Sequence, residues 1–137
     1  MALIKDYELK NGLECSGAYH VIHEVKTMKR AVDDEDPGGV RPDNSPDHAW
    51  KAGYYGRVSV VVYASKAARE AGKSPIAAYA QYPTEVPNAT NAMEINIMQD
   101  QEQDMNFTID MASEKSIVEQ GYDHLMTLPT WADAIND

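Results

Sequence analysis

Gly72-Lys73-Ser74, inside EAGKSPI (70–76), is the trio with which a phosphate-binding loop ends. In such a loop the glycines let backbone amides curl round the phosphates while the lysine neutralises them. The motif needs a glycine five residues before Gly72, and Ala67 stands there. Pro75 follows at once and disfavours the helical conformation at Ser74, where a helix should open. EAGKSPI therefore reads as a turn, and no nucleotide or other cofactor is expected.

The remaining groups capable of chemistry do not assemble into a motif. His20 and His23 are three apart in an expected strand, so their side chains point to opposite faces and cannot share a metal. His48 and His124 share no spacing with them. Asp33-Asp34-Glu35-Asp36 lacks the alternating ligands of a calcium loop and reads as a solvated charge run beside Pro37-Gly38-Gly39. Cys15 has no base beside it, and no Gly-x-Ser-x-Gly turn is present. Carboxylates are abundant, but nothing selects an acid and a base among them. No catalytic residue, metal site or small-molecule substrate is expected, and the protein reads as a non-enzyme.

The composition is that of one globular domain, 1–137, with 43% hydrophobic and 25% charged residues. The opening MALIKDYELK interrupts any apolar core with charges, so no signal peptide is expected, and no apolar run suits a membrane span. A single cysteine fits folding in a reducing cytosol. The net charge of −10 is uneven: residues 94–137 hold ten acidic residues and one basic residue, Lys115. Such a segment repels phosphate backbones, which argues against nucleic acid as a partner. It is either a solvated face or a docking surface for a basic patch.

The elements that must position these groups are mostly strands. Residues 2–9 read as a first strand, closed by Asn11-Gly12, the strongest short hairpin signal, and followed by an antiparallel run from Leu13 to Met28. In that run Tyr19, Val21, His23 and Val25 share one side, and Ala18, His20, Ile22 and Glu24 the other. Residues 29–49 carry three prolines and two glycines and read as one long loop that assembly could order. RVSVVVYA (57–64) is the expected central strand, joined to IAAYAQY (76–82) by a basic tip carrying Lys66, Arg69 and Lys73, with a helical turn stopped at Gly72. MEINIM (93–98) and MNFTIDM (105–111) alternate with period two and are expected to pair across QDQEQD, burying Met93, Ile95 and Ile97 on one and Met105, Phe107, Ile109 and Met111 on the other. Period then changes, and 113–128 reads as a C-terminal helix with capping-box spacing at Ser116 and Glu119 and a following turn anchored by Trp131. The fold expected is mainly β, an antiparallel sandwich or barrel-like domain of about six strands with one C-terminal helix.

Three blocks, MALIKDYELKNGLECSGAYHVIHEV (1–25), VYASKAAREAGKSPI (62–76) and QGYDHLMTLPTWADA (120–134), resemble small proteins encoded among the tail genes of tailed bacteriophages. They cover under half the chain, and none is a catalytic motif. The resemblance implies a virion structural component near the tail tip, baseplate or fibre-attachment region, assembled in the host cytoplasm with other phage structural proteins as partners. A homo-oligomer is expected, with neither nucleic acid nor membrane as a partner. The candidate contact residues are Trp50, Tyr54 and Tyr55, the loop at Val40 and Arg41, the basic tip, and Asp100, Glu102 and Asp104 of the acidic third. Trp50, Tyr54 and Tyr55 suit the rim of a β core as well as an interface. One specific pairing sets the basic tip of one subunit against the acidic segment of its neighbour. Alternative readings are a host-surface binding module at the tail end, and a neck- or capsid-associated structural protein.

Overall fold

The computed structural model describes residues 1–30, 53–81, 93–98 and 105–137. Nine strands and two helices lie within them: β1 (Leu3–Ile4), β2 (Tyr7–Glu8), β3 (Glu14–Cys15), β4 (Tyr19–Arg30), β5 (Gly53–Tyr63), α1 (Lys66–Glu70), β6 (Ala77–Ala80), β7 (Glu94–Ile97), β8 (Asn106–Thr108), α2 (Ile117–Leu125) and β9 (Ile135–Asn136). The domain is mainly β. Its main sheet runs β7-β6-β5-β4-β1-β9, and β8 pairs with β5. Pairings are antiparallel except β6 with β7, which makes the sheet mixed.

The expected first strand is divided. Leu3–Ile4 joins the main sheet, whereas Tyr7–Glu8 forms the Asn-Gly hairpin with Glu14–Cys15. Gly12 takes φ 90° in that turn, a region open to glycine at little cost. The small ribbon packs on the main sheet through Tyr7, which joins Ala18, Val62 and Ala77 in a buried cluster. It supplies a second β layer over one part of one face.

β5 is central, as its β-branched run predicts. β4 takes one edge along its length; the other edge is shared by β8 at Tyr55–Arg57 and β6 at Val60–Val62. Alternation sends Val58 and Val60 to the core beneath α2 and Val61 to the opposite face. β4 extends through Arg30, past the expected end of its pattern at Met28. A register shift between Ile22 and Glu24 bulges the strand at His23. The extra residue moves Val25 onto the face of Ile22, against the α2 core, and away from Tyr19 and Val21. The alternation expected on sequence holds only up to the bulge.

The expected hairpin between 93–98 and 105–111 does not form. β7 lies parallel beside β6, and β8 lies antiparallel beside β5. Met105, Phe107 and Ile109 are buried as their shared face predicts, while Met111 is exposed. Asn106, on the opposite face, is also buried; its amide accepts from Arg57 Nε and donates to Gln81 Oε1, which fills the junction between β8 and β6 with satisfied polar groups.

EAGKSPI is a turn between antiparallel strands, as expected. Ser65 caps α1 by accepting from the Ala68 amide. Gly72 has φ 74°, its amide bonds to Arg69 O, and the Lys73 amide bonds to Ala68 O. This is the Schellman closure of a helix. The two amides that a phosphate loop would aim at its ligand are used on the helix's own carbonyls.

α2 is shorter than 113–128, beginning after Ser116, whose Oγ accepts from the Glu119 amide at 3.1 Å and so forms the expected cap. Its buried residues are Gly121, Tyr122 and Leu125. A Cβ on Gly121 would lie 3.0 Å from Ile22 Cδ1 and 3.1 Å from Val58 Cγ1, so the missing side chain sets how closely helix and sheet approach. After α2 the chain turns, buries Trp131 completely and returns as β9 along β1.

Candidate functional site

The proposed contact residues fall on different parts of this frame. Strand alternation separates the two tyrosines. Tyr55 is buried in the sheet; Tyr54 is exposed, with Lys29 Nζ 5.5 Å from its ring centroid. Tyr55 thus belongs to the core, and Tyr54 lies at the surface. Val40, Arg41, Trp50, Asp100, Glu102 and Asp104 lie outside the described residues.

The basic tip is partly engaged within its own chain. Lys66 Nζ lies 3.3 Å from Asp137 Oδ2, and the same oxygen accepts from the Tyr19 hydroxyl at 2.6 Å. The Arg69 guanidinium sits 5.9 Å from the centre of the Tyr19 ring. Lys73 remains exposed at the turn. A contact between the basic tip and the acidic third thus exists inside one subunit, through Lys66 and Asp137.

The surface that sequence patterning missed is at the ends of the sheet. Among the described strands, β7 and β9 end the main path of the sheet, and β8 lies off that path, paired with β5. Ile95 and Ile97, expected to be buried with Met93, are 40% and 41% exposed, and Ile135 on β9 is 66% exposed. The reason is the inward pull of the other face of β7. Glu94 accepts from the Tyr7 hydroxyl at 2.8 Å and from the Lys10 amide at 2.6 Å, Asn96 donates to the Tyr7 hydroxyl at 2.9 Å, and Met98 enters the core. Glu94 and Asn96, opposite the isoleucines in the alternation, hold the ribbon to the sheet. Burial, aided by Glu94, pushes the Tyr7 phenol up to about 12, so it stays a donor at neutral pH.

Two polar regions invite a chemical reading. The first is a shallow groove of about 310 Å³ between β8 and α2, lined by Phe107, Asp110, Lys115, Gln120 and His124 among others. Its groups are largely engaged with each other. Gln120 Oε1 accepts from the Asp110 amide, Gln120 Nε2 donates to Asp110 O and Lys115 O, and Lys115 pairs with Asp123 at 2.5 Å. The groove is the closure of the loop that leads into α2.

The second is His20, which sequence gave no reason to single out from His23. It is buried, whereas His23 is exposed, so the two histidines are separated as expected. Trp131 Nε1 donates to His20 Nδ1 at 3.2 Å, and an indole N–H is only a donor. The imidazole proton is therefore on Nε2, which donates to Lys5 O at 3.1 Å. Tyr79 stacks on the ring, and Tyr7 and Trp131 meet it edge-on. Burial holds the imidazole down at about 4. His20 is a neutral, fully bonded core group with no opening to a substrate in this arrangement.

Among the described residues no group of three or more His, Cys, Asp or Glu side chains could hold a metal ion, and no helix is long and apolar enough to cross a membrane. No family model, no curated protein and no solved structure matches the chain.

Proposed function

We propose that the protein is a non-enzymatic structural subunit of a tailed-phage particle, at the tail tip, baseplate or fibre-attachment region, joined to its neighbours through the ends of its sheet. The three sequence blocks named above supply the setting. The observation that carries the assembly role is the placing of Ile95, Ile97 and Ile135 on the described strands that end the main path of the sheet. Soluble proteins commonly guard sheet edges with charge, proline or a bulge, because an apolar edge recruits another strand. Isoleucines at both ends suit a subunit whose edges meet a neighbour's, and a head-to-tail contact of that kind closes into a ring or extends as a filament.

The electrostatic part of the reading is narrower than the sequence suggests. Lys66 is already paired with Asp137, so Lys73 and the exposed face of Arg69 are what the tip can offer a neighbour. The solution mass by size-exclusion chromatography with light scattering, at low and high salt, tests the proposal. A closed oligomer is expected, and partial dissociation in salt would assign a share of the contact to charge. A monomer under both conditions, with clearing of a zymogram containing host cell wall, would overturn it in favour of an enzyme. A monomer whose Tyr54 surface captures host envelope fragments would favour the binding-module reading.

A further inference from the structure

The last twelve residues, 126–137, are held to the sheet by the burial of Leu128, Trp131 and Ala134 in the core and by a set of polar contacts with different chemistries. Trp131 is fully buried and donates to His20. Lys5 Nζ donates to Thr130 O and pairs with Asp133 at 2.8 Å. β9 adds two residue pairs along β1, and the Asp137 amide bonds to Ala2 O. Asp137 Oδ2 accepts from Tyr19. Every one of these but one is insensitive to mild acid. The Lys5 ammonium keeps the Asp133 carboxyl below its usual range, and Tyr19 with Lys66 does the same for Asp137, so both stay ionised as pH falls past neutrality.

The exception is the bond between Trp131 and His20. A proton on Nδ1 would set an N–H against the indole N–H, two donors facing each other in a buried site. The groups around the ring offer no compensation. Lys5 from the β1–β2 connection brings a positive charge, which itself disfavours an imidazolium. Tyr7 from β2 and Tyr79 from β6 present rings, β5 places Val62 opposite, and Glu94 of β7 is bonded to Tyr7 and the Lys10 amide. The C-terminal turn contributes only the indole.

We propose that residues 126–137 form an acid-released strap: protonation of His20 at Nδ1 expels Trp131 and frees the strap while the remainder of the sheet stays folded, uncovering the β1 edge that β9 occupies. Leu3 and Ile4 would then be open to a strand from another chain.

The direction follows from proton linkage. His20 titrates near 6.5 when exposed and near 4 when the strap is docked, so the undocked form binds more protons between those values. Docking is at full strength above pH 6.5, weakens as pH falls, and levels off below pH 4. The difference of 6.5 − 4 sets a ceiling of about 300-fold on the change in the docking equilibrium.

Native-state hydrogen exchange on the full chain tests this, with amides followed by NMR and corrected for intrinsic rates. Protection of the Trp131 and Asp137 amides is expected to fall by up to about 300-fold between pH 6.5 and pH 4, while β4 and β5 amides keep theirs. His20→Gln supplies the control, since Oε1 can accept from Trp131 and Nε2 can donate to Lys5 O without titrating. In that variant the strap amides should keep their protection across the range. The proposal is overturned if wild-type strap protection is unchanged with pH, if it falls together with β4 and β5, or if His20→Gln shows the same fall. Should the variant not fold, the wild-type comparison of strap with β4 and β5 still decides.

Discussion

The hydroxyl of Tyr122 stands between the amide of Ile22 and the carbonyl of Met1, accepting from the first at 2.8 Å and donating to the second at 2.9 Å. The register of β1 on β4, with Leu3 opposite His20, would bring Met1 opposite Ile22 two residues further along. α2 thus inserts a side-chain oxygen into the sheet ladder where β1 begins, and the helix and the first strand share one hydrogen-bond chain. Burial raises the phenol's pKa, so it keeps the proton that it donates.

Tyr122→Phe removes this bridge without changing volume much. Met1 is 53% exposed, so water can replace the partner of its carbonyl, and the cost falls mainly on the Ile22 amide. A buried donor left unmade costs about 1–3 kcal/mol, and the lower half of that range is expected here. Urea unfolding should show a lower midpoint at constant slope, and the Ile22 amide should exchange faster.

Gly56 faces Phe107 directly across β5 and β8, and a Cβ there would lie 2.6 Å from the ring's Cε1 and Cζ. Phe107 is itself held by His124, whose ring stacks on it at 5.8 Å. Gly56→Ala is therefore expected to destabilise by about 1–3 kcal/mol, although alanine suits a strand better than glycine does. Adding Phe107→Leu should make the pair less destabilised than the sum of the single changes, read as a double-mutant cycle by thermal or urea unfolding.

Ser116 supplies a side-chain acceptor to the first turn of α2, at the Glu119 amide. Ser116→Ala is expected to cost about 1 kcal/mol, and Ser116→Asp to restore most of it, because the carboxylate accepts the same amide and sits at the positive end of the helix. Unfolding midpoints of the two variants measure the difference.

For assembly, the paired change Ile95→Lys and Ile97→Lys should lower the solution mass to that of a monomer while leaving the far-UV circular dichroism unchanged. Both side chains are already partly in water, so the fold loses little apolar burial, whereas a contact across that edge acquires two facing charges. An oligomer of unchanged mass would exclude β7 as the contact and direct attention to Ile135 on β9.

The features that sequence alone determined are those whose cause lies within a few residues. Asn11-Gly12 specifies a tight hairpin, Gly72 closes a helix in the left-handed region, Ser116 caps α2, and VSVVVY has the branching of a central strand; each is present in the structure. Tertiary structure decided what depends on partners remote in the chain. MEINIM carries the same alternation whichever strand it pairs with, and its parallel place beside β6, with Glu94 and Asn96 turned to Tyr7, is set by a ribbon more than eighty residues earlier. The bulge at His23 leaves no mark in composition, yet it transfers Val25 to the other face of the sheet. The meeting of His20 with Trp131, 111 residues apart, follows from packing the last turn onto β4, where the indole leaves water and still finds an acceptor.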